Sequence, residues 1–531
     1  MSSPEHTIEA VYPLSPAQEG ILFHTTVSTD RGIYTVQQLC TLQADLDIAQ
    51  FKAAWQQVIQ RHMVLRTAFL FENAEKPLQV VGRQVQLPWE EDNWRTIPLD
   101  VERAQIDALL AADRARGFEL THAPLMRLRL IHRQDGSYYF LWSFHHAILD
   151  GWSSPLVLRE VYTIYAAARR GQKARLAVAQ PYQSYIAWLQ RQDLHSAERF
   201  WRTYLQGITA PTSPGEPQGT TQEAEYARCQ IRLPDSLLDK LEVLLQRHHL
   251  TINTVLLGAW ALLLSRYSGS ADVIFGTAVS GRAAAVPGID AMVGMFLNTL
   301  PVRVRVGERQ PLLSWLQELQ QEQVELRQYE YSPLVQVQKW SDVPQGTPLF
   351  QNILICGTAR AVQQDADIFP EVGDVHARES TNYPLALNVE AGQPFLIQAT
   401  YDAHLFTEAM IQRILTHLQL ILRQMSEYPE QRLRDIGLLS EAERRQLLVE
   451  WNMTGQAYAE EPCIHRCFAA QASMSPNAIA VVYEGRTLSY QELDQQTNQL
   501  ASYLRKRGVG PEVLVAICVE RSLEMLIGIL G

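Results

Sequence analysis

Residues 138–153 read YYFLWSFHHAILDGWS, and within that stretch the chain passes from one kind of structure to another. The aromatic run Tyr138–Phe144 has the composition of a buried strand. His145 and His146 follow it, and Asp150-Gly151-Trp152-Ser153 form a polar turn. Apolar residues then recur at helical spacing at Val157, Leu158, Val161, Tyr162 and Tyr165, so a helix opens at Pro155. Adjacent residues on a strand point to opposite faces, so only one of the two histidines can face a given substrate. Asp150 can accept a ring N–H or pair with a cation that pins the loop, and Gly151 permits a tight turn and close backbone approach. A plain strand-to-helix turn, with Asp150 or Ser153 as N-cap, accounts for the same residues. On these letters alone chemistry and capping stand about even. The second histidine pair, His248-His249, lacks an Asp-Gly and sits where a helix ends, next to exposed carbonyls. We read it as structural.

Outward from this stretch, helix and strand signals alternate. Phe51, Trp55, Val58, Ile59 and His62 share a helical face, and Met126–Leu130 reads as a strand. Beyond residue 226 a long apolar helix is expected near Thr254–Tyr267, with strands at Asp272–Thr277 and Leu300–Val306. Between these regions Gly207–Glu225 is crowded with Pro, Gly, Ser and Thr, the mark of a linker. Periodicity lapses again over Glu450–Pro462. The expected organisation is an N-terminal α/β lobe over 1–206, a linker at 207–225, a second α/β lobe over 226–449, a linker at 450–462 and a short piece at 463–531.

The 531 residues carry Lys+Arg 46 against Asp+Glu 57, a net charge of −11, which argues against global attraction to nucleic acid or an anionic membrane. At 47% hydrophobic the chain has ample material for a large core, and disordered or fibrous classes are excluded. The longest apolar run, Val255–Leu264, is too short for the roughly 20 residues of a membrane helix, and it reads as a buried helix. Six cysteines in a chain of this length suit a reducing cytoplasm better than a disulfide framework. Cys463-Ile464-His465-Arg466-Cys467 looks like half a zinc site, but no second pair lies at a zinc-finger spacing, and the segment opens an amphipathic helix. No metal is expected.

His145–Gly151 matches the HHxxxDG signature of condensation domains from nonribosomal peptide synthetases, and other motifs resembling that family appear in its order. They are Leu14–Gly20 (LSPAQEG, with Ser15 and Gln18), Arg61–Phe69 (RHMVLRTAF, with Arg61 and His62) and Tyr182–Trp188 (YQSYIAW). Val293–Leu300 (VGMFLNTL, with Asn298 and Thr299), Tyr331–Leu334 (YSPL) and Ser380–Leu385 (STNYPL, with Asn382 and Pro384) follow. The resemblance covers about residues 8–450. Residues 463–531, with Leu488–Leu493 (LSYQEL) and Val513–Leu530, resemble the opening of an amino-acid adenylation domain without its phosphate loop, so no adenylation activity is expected of them.

The resemblance implies an α/β fold of two chloramphenicol-acetyltransferase-like lobes in a V, plus an incomplete N-terminal piece of an adenylate-forming domain. It implies amide bond formation between a carrier-bound donor acyl or peptidyl thioester and the amine of a carrier-bound acceptor aminoacyl thioester. By motif position His146 is the catalytic residue and Gly151 lines the reaction centre. His145 and Asp150 are supporting residues, with Arg282 the first candidate to pair with Asp150 and Arg66 the second. No cofactor is expected on the chain itself, because 4′-phosphopantetheine arms come with the donor and acceptor carrier domains. The remaining partners are the rest of a synthetase, in the cytoplasm, with no nucleic acid and no membrane. The histidine pair argues against a heterocyclisation domain, and the single histidine of Phe23–Thr26 against a dual epimerising domain. An epimerisation domain is disfavoured by the missing acidic second-lobe motif, and the resemblance leans towards an ordinary domain for an L-configured donor, with donor stereochemistry left open. A non-catalytic carrier-binding module and a free-standing thioester-dependent acyltransferase are the alternatives. The retained His146 and Gly151 argue against the first, and the fused adenylation start against the second.

Overall fold

The computed structural model describes residues 7–71, 76–215, 225–357, 376–378, 382–392, 394–456 and 463–531. Ser380 and Thr381 of the last motif, and the parts of the expected linkers at 216–224 and 457–462, lie outside them. The chain divides into two compact units, Met1–Ser440 and Glu441–Gly531.

In the first unit the order opens β1 (Ile8–Pro13), α1 (Pro16–Val27), β2 (Thr35–Leu42), α2 (Ile48–Arg61), β3 (Thr67–Leu70), β4 (Leu78–Gly82), β5 (Trp89–Asn93) and α3 (Leu99–Arg116). It continues β6 (Met126–His132), β7 (Tyr138–His145), α4 (Ser153–Arg169), α5 (Gln183–Leu189) and α6 (Leu194–Leu205). The second half supplies β8 (Tyr226–Arg232), α7 (Asp235–His248), α8 (Ile252–Ser268), β9 (Asp272–Val279), β10 (Asn298–Arg305), α9 (Leu312–Arg327) and α10 (Leu334–Trp340). Then come β11 (Asn352–Gly357), β12 (His376–Arg378), β13 (Leu385–Glu390), β14 (Leu396–Asp402) and the helix Glu408–Glu427. Among the described residues one sheet runs β12-β2-β7-β6-β5 and another β10-β9-β11-β13-β14-β8, with β1-β4-β3 a smaller third. This is the mixed α/β architecture expected, one main sheet to each half.

The aromatic strand lies at the centre of the first sheet and is buried along nearly all its length. Phe140 and Trp142 of β7 meet Phe51 and Trp55 of α2, with ring centroids 5.2 Å apart for Phe51–Phe140 and 5.0 Å for Trp55–Trp142. Burying such side chains contributes about 1.5–3 kcal/mol each, so the strand that ends in the histidines is anchored well before it reaches them. In the second half Val255–Leu264 is fully buried within α8, and α7 ends at the second histidine pair with His249 in the left-handed conformation.

The two halves do not part at residue 206. Ala197, Trp201 and Leu205 of α6 pack with Ile274, Leu300, Leu326 and Val337, so this helix belongs to the core of the second half. Conversely Val286–Phe296 join the first-half core, and β12 pairs with β2 of the first sheet. Lobe membership follows apolar contact, and linker composition marks only where the chain crosses.

The second unit holds the helix Ile464–Met474, the hairpin β15 (Ile479–Tyr483) and β16 (Arg486–Ser489), and the helices Tyr490–Lys506 and Leu523–Leu530. The first of these helices carries His465 and Cys467. Ser489 and Glu492 close a capping box at the start of Tyr490–Lys506. Residues 441–449, expected with the second lobe, bury no side chain and fall in this unit.

Candidate active site

The histidine pair is held first by its backbone. His145 N–H donates to Leu125 O at 2.9 Å, and His146 N–H donates to Tyr34 O at 2.8 Å. Tyr34 has φ 59°, a left-handed conformation that costs a bulky residue energy. The strained residue therefore aims its carbonyl at His146 while its hydroxyl donates to Asn382 Oδ1 at 2.7 Å. His145 is 1% exposed. Its Nδ1 accepts the Ala147 N–H at 3.3 Å, which places the ring proton on Nε2, 3.4 Å from Thr25 Oγ1. Burial, helped by the neighbouring His146, lowers its pKa from 6.5 to about 3. His145 is a neutral supporting group. His146 is 7% exposed.

Asp150 serves both as cap and as pin. Its Oδ1 accepts the Ser153 N–H at 2.8 Å at the start of α4, and its Oδ2 accepts the Phe296 N–H at 3.0 Å from the second half. Arg282 Nη2 lies 3.5 Å from Asp150 Oδ1 and donates to Ser153 Oγ at 2.9 Å. Its Nη1 donates to the carbonyls of Ile289 and Met292, and the guanidinium lies 4.1 Å over the Phe296 ring. Burial presses the Arg282 pKa down, against the opposing pull of Asp150. The cation thus satisfies carbonyls as much as it pairs with the aspartate, and the whole group ties the turn after β7 to the loop before β10.

Arg66, the second candidate, is not at this site. Buried in the first half, it donates to Ile59 O at 3.2 Å, to Glu9 at 2.5 Å and to the Gly82 carbonyl. It sits at the end of a short 3-10 turn after α2, between Glu9 of β1 and the end of β4. Gly151 also departs from expectation. Its backbone is outside the left-handed region and a β-carbon there would meet nothing within 4 Å, so neither the turn nor the packing requires glycine.

The other motif residues brace these groups. Ser15 caps α1 and Gln18 completes the capping box. Buried Gln18 also donates to Ala147 O at 2.9 Å, within the histidine loop, and exchanges amide bonds with Gln79. Arg61 and His62 both meet Glu160 of α4, at 2.8 and 2.7 Å. Tyr182 donates to Met295 O and its ring fills the space beside Gly294. Trp188 stacks on Tyr185. Asn298 donates to Glu330 O and Ser332 O, both at 2.8 Å, and Thr299 N–H donates to its Oδ1. Asn382 reaches the first half through Tyr34 and through His24 Nε2 at 3.3 Å, and Pro384 O accepts the Asp402 N–H. Sequence reasoning missed Tyr34, Thr25, Gln79, Ser153 Oγ, Phe296 N and Glu160. Gln79 had a signal, since it shares the buried face of its strand with Val81.

The condensation-domain family model matches residues 8–448, and the AMP-binding enzyme model matches residues 468–531. One polypeptide of the linear gramicidin synthase of Brevibacillus parabrevis is 42% identical over 540 residues, 99% of this chain and 11% of that protein. Another polypeptide of the same synthase is 43% identical over 528 residues, and bacitracin synthase 3 of Bacillus licheniformis 36% over 534, with 10% and 8% of those proteins covered. In each case 99% of this chain is covered. The chain thus spans about a tenth of the length of these curated relatives. Among solved structures, a four-domain nonribosomal peptide synthetase bound to AMP and glycine aligns with a TM-score of 0.74 at 19% identity, over 94% of this chain and 39% of that one. The starter condensation domain of rhizomide synthetase aligns at 0.68 and 20% identity, over 82% and 99%. At such identities the likeness is one of fold.

Proposed function

We propose, for a chain that belongs to the condensation-domain family over residues 8–448, that this region joins a donor acyl or peptidyl thioester to the amine of an acceptor aminoacyl thioester. Both substrates ride on pantetheine arms of carrier domains, and other domains of a synthetase are the partners. The observation that carries this is the held histidine pair. His145 is locked neutral at the strand end, His146 follows it as the first residue of the turn, and that turn is pinned from the second half by Phe296 and Arg282.

In the reaction the amine nitrogen attacks the thioester carbonyl carbon and a tetrahedral oxyanion forms. The carbon–sulfur bond then breaks, the donor arm leaves as its thiol, and the amine has given up one proton that the sulfur gains. A free α-amine titrates near 7.7–8.0, so roughly a tenth of it is neutral at pH 7, and a thioester is already activated. His146 either takes the proton or orients the amine and the intermediate. Base catalysis contributes about 10²–10⁴-fold and a lost oxyanion donor costs about 10²–10³-fold, so a rate loss alone does not divide the two roles. The test is to mix the chain with a donor-loaded and an acceptor-loaded carrier and follow both by intact mass. Growth of the acceptor by the acyl mass supports the reading. No growth across a broad panel of loaded carriers overturns it in favour of a binding module.

A further inference from the structure

Gln18 of α1 and Gln79 of β4 are wholly buried, so two primary amides lie inside the first half. An amide removed from water is costly unless its hydrogen-bonding groups are met, and these two meet each other. Gln18 Nε2 donates to Gln79 Oε1 at 3.1 Å, and Gln79 Nε2 donates back to Gln18 Oε1 at 2.9 Å. The second N–H of each goes to backbone, from Gln79 to Pro13 O at 3.0 Å and from Gln18 to Ala147 O at 2.9 Å. Gln18 Oε1 also accepts the Ser15 N–H at 2.9 Å. Every N–H of the two amides is thereby used, and the backbone partners settle which end of each amide is nitrogen.

One of these bonds ends on the histidine turn. Ala147 is held at both of its backbone groups, its N–H by His145 Nδ1 at 3.3 Å and its carbonyl by Gln18. His146, one residue earlier, has its own N–H on Tyr34 O. The backbone is therefore fixed on either side of the His146 side chain. The last torsion of a glutamine is broad, so the Gln18 amide keeps its aim at Ala147 O because Gln79 holds its other edge. Apolar side chains of the same shape would join α1 to β4 as well. Packing alone does not call for amides here; a directed bond to the turn does.

We propose that Gln79 is a positioning residue for acyl transfer: acting through Gln18, it fixes the Ala147 carbonyl and with it the direction of the His146 side chain. Gln79 lies outside all the motifs that this chain shares with the family. The inference deepens the condensation reading and rests on it for the rate, while the placement of His146 is testable without it.

The experiment compares wild type with Gln79→Met, Gln18→Met, the double variant and Val81→Ala, the last on the same buried face of β4. Transfer between loaded carriers and melting are measured for each. Gln79→Met should lower kcat about tenfold with KM for both carriers unchanged. Added to Gln18→Met, it should cost less than about a further twofold, because the two residues act in series. Val81→Ala should melt at least as low as Gln79→Met and keep kcat within about twofold of wild type. A wild-type kcat in Gln79→Met, a loss that multiplies with that of Gln18→Met, or an equal loss in Val81→Ala overturns the proposal. Carbon-13 NMR of the histidine rings of the full chain, without carriers, reads the placement itself. Gln79→Met should move the signals of His145 and His146, assigned by their loss in single-site variants, and leave that of His417, buried in the helix Glu408–Glu427, in place. An unmoved His146 signal overturns the positioning role. Signals that move as stated in a protein whose wild type transfers nothing would sink the catalytic reading and leave the placement of His146 by Gln79 standing.

Discussion

A β-carbon on residue 151 would meet no heavy atom of the protein within 4 Å, so any need for glycine there lies with the substrates of the proposed reaction and not with the fold. Gly151→Ala should therefore melt with wild type while slowing acyl transfer by about 10- to 100-fold, since small misplacements of reacting groups cost that much. A matching loss of melting temperature would return Gly151 to a role in the turn. His145 gives a prediction in pH. Its folded pKa is near 3 against 6.5 when free, so between those values the unfolded chain binds more protons than the folded one. Stability from this group is complete above pH 6.5 and falls as the pH drops through that window, by roughly 2 kcal/mol between pH 7 and pH 5. His24, also lowered by burial, works in the same direction. Urea midpoints at pH 7 and pH 5 should differ less for His145→Asn than for wild type; equal differences would contradict the burial. The pair was legible as letters and spacing. The left-handed Tyr34 that aims a carbonyl at His146 was not, because a tyrosine at positive φ leaves no trace in composition.

The elements around the site are joined by a few buried polar side chains. Asp150 accepts backbone N–H groups from the start of α4 and from Phe296, and stands beside Arg282. Asp150→Ala removes all three partners at once and leaves a buried cation, a change that costs about 3–5 kcal/mol. Its melting temperature should fall clearly, and loss of transfer in that variant would report the fold as much as the chemistry. A variant that melts with wild type would show the pin to be dispensable. Capping and pinning, equally open on the sequence, prove to be one arrangement, and Arg282 was legible only through the family resemblance, which implies an arginine partner for the aspartate. Arg66 was misleading because its motif is conspicuous, yet its side chain is taken up by the Glu9 carboxylate and the carbonyls of Ile59 and Gly82. The exchange of α6 into the second core was hidden because Ala197, Trp201 and Leu205 would suit either lobe equally well.

At the scale of the whole molecule, the alternation of helix and strand signals foretold the mixed α/β halves, and the ordered motifs identified the family. What the letters did not carry is how the halves interlock. β12 joins the first sheet, Val286–Phe296 fill the first core, and Asn382 bonds Tyr34 and His24 across the division. Contacts between residues hundreds of positions apart have no local pattern to announce them. If this assembly presents His146 to a thioester and an amine, acyl transfer depends on that side chain. Intact-mass measurement of transfer from a loaded donor carrier to a loaded acceptor carrier decides it, comparing wild type with His146→Ala after both are shown to melt alike. Transfer by wild type and a loss of about 10²-fold or more in the folded variant is the predicted result. A folded His146→Ala protein that transfers at the wild-type rate would contradict it.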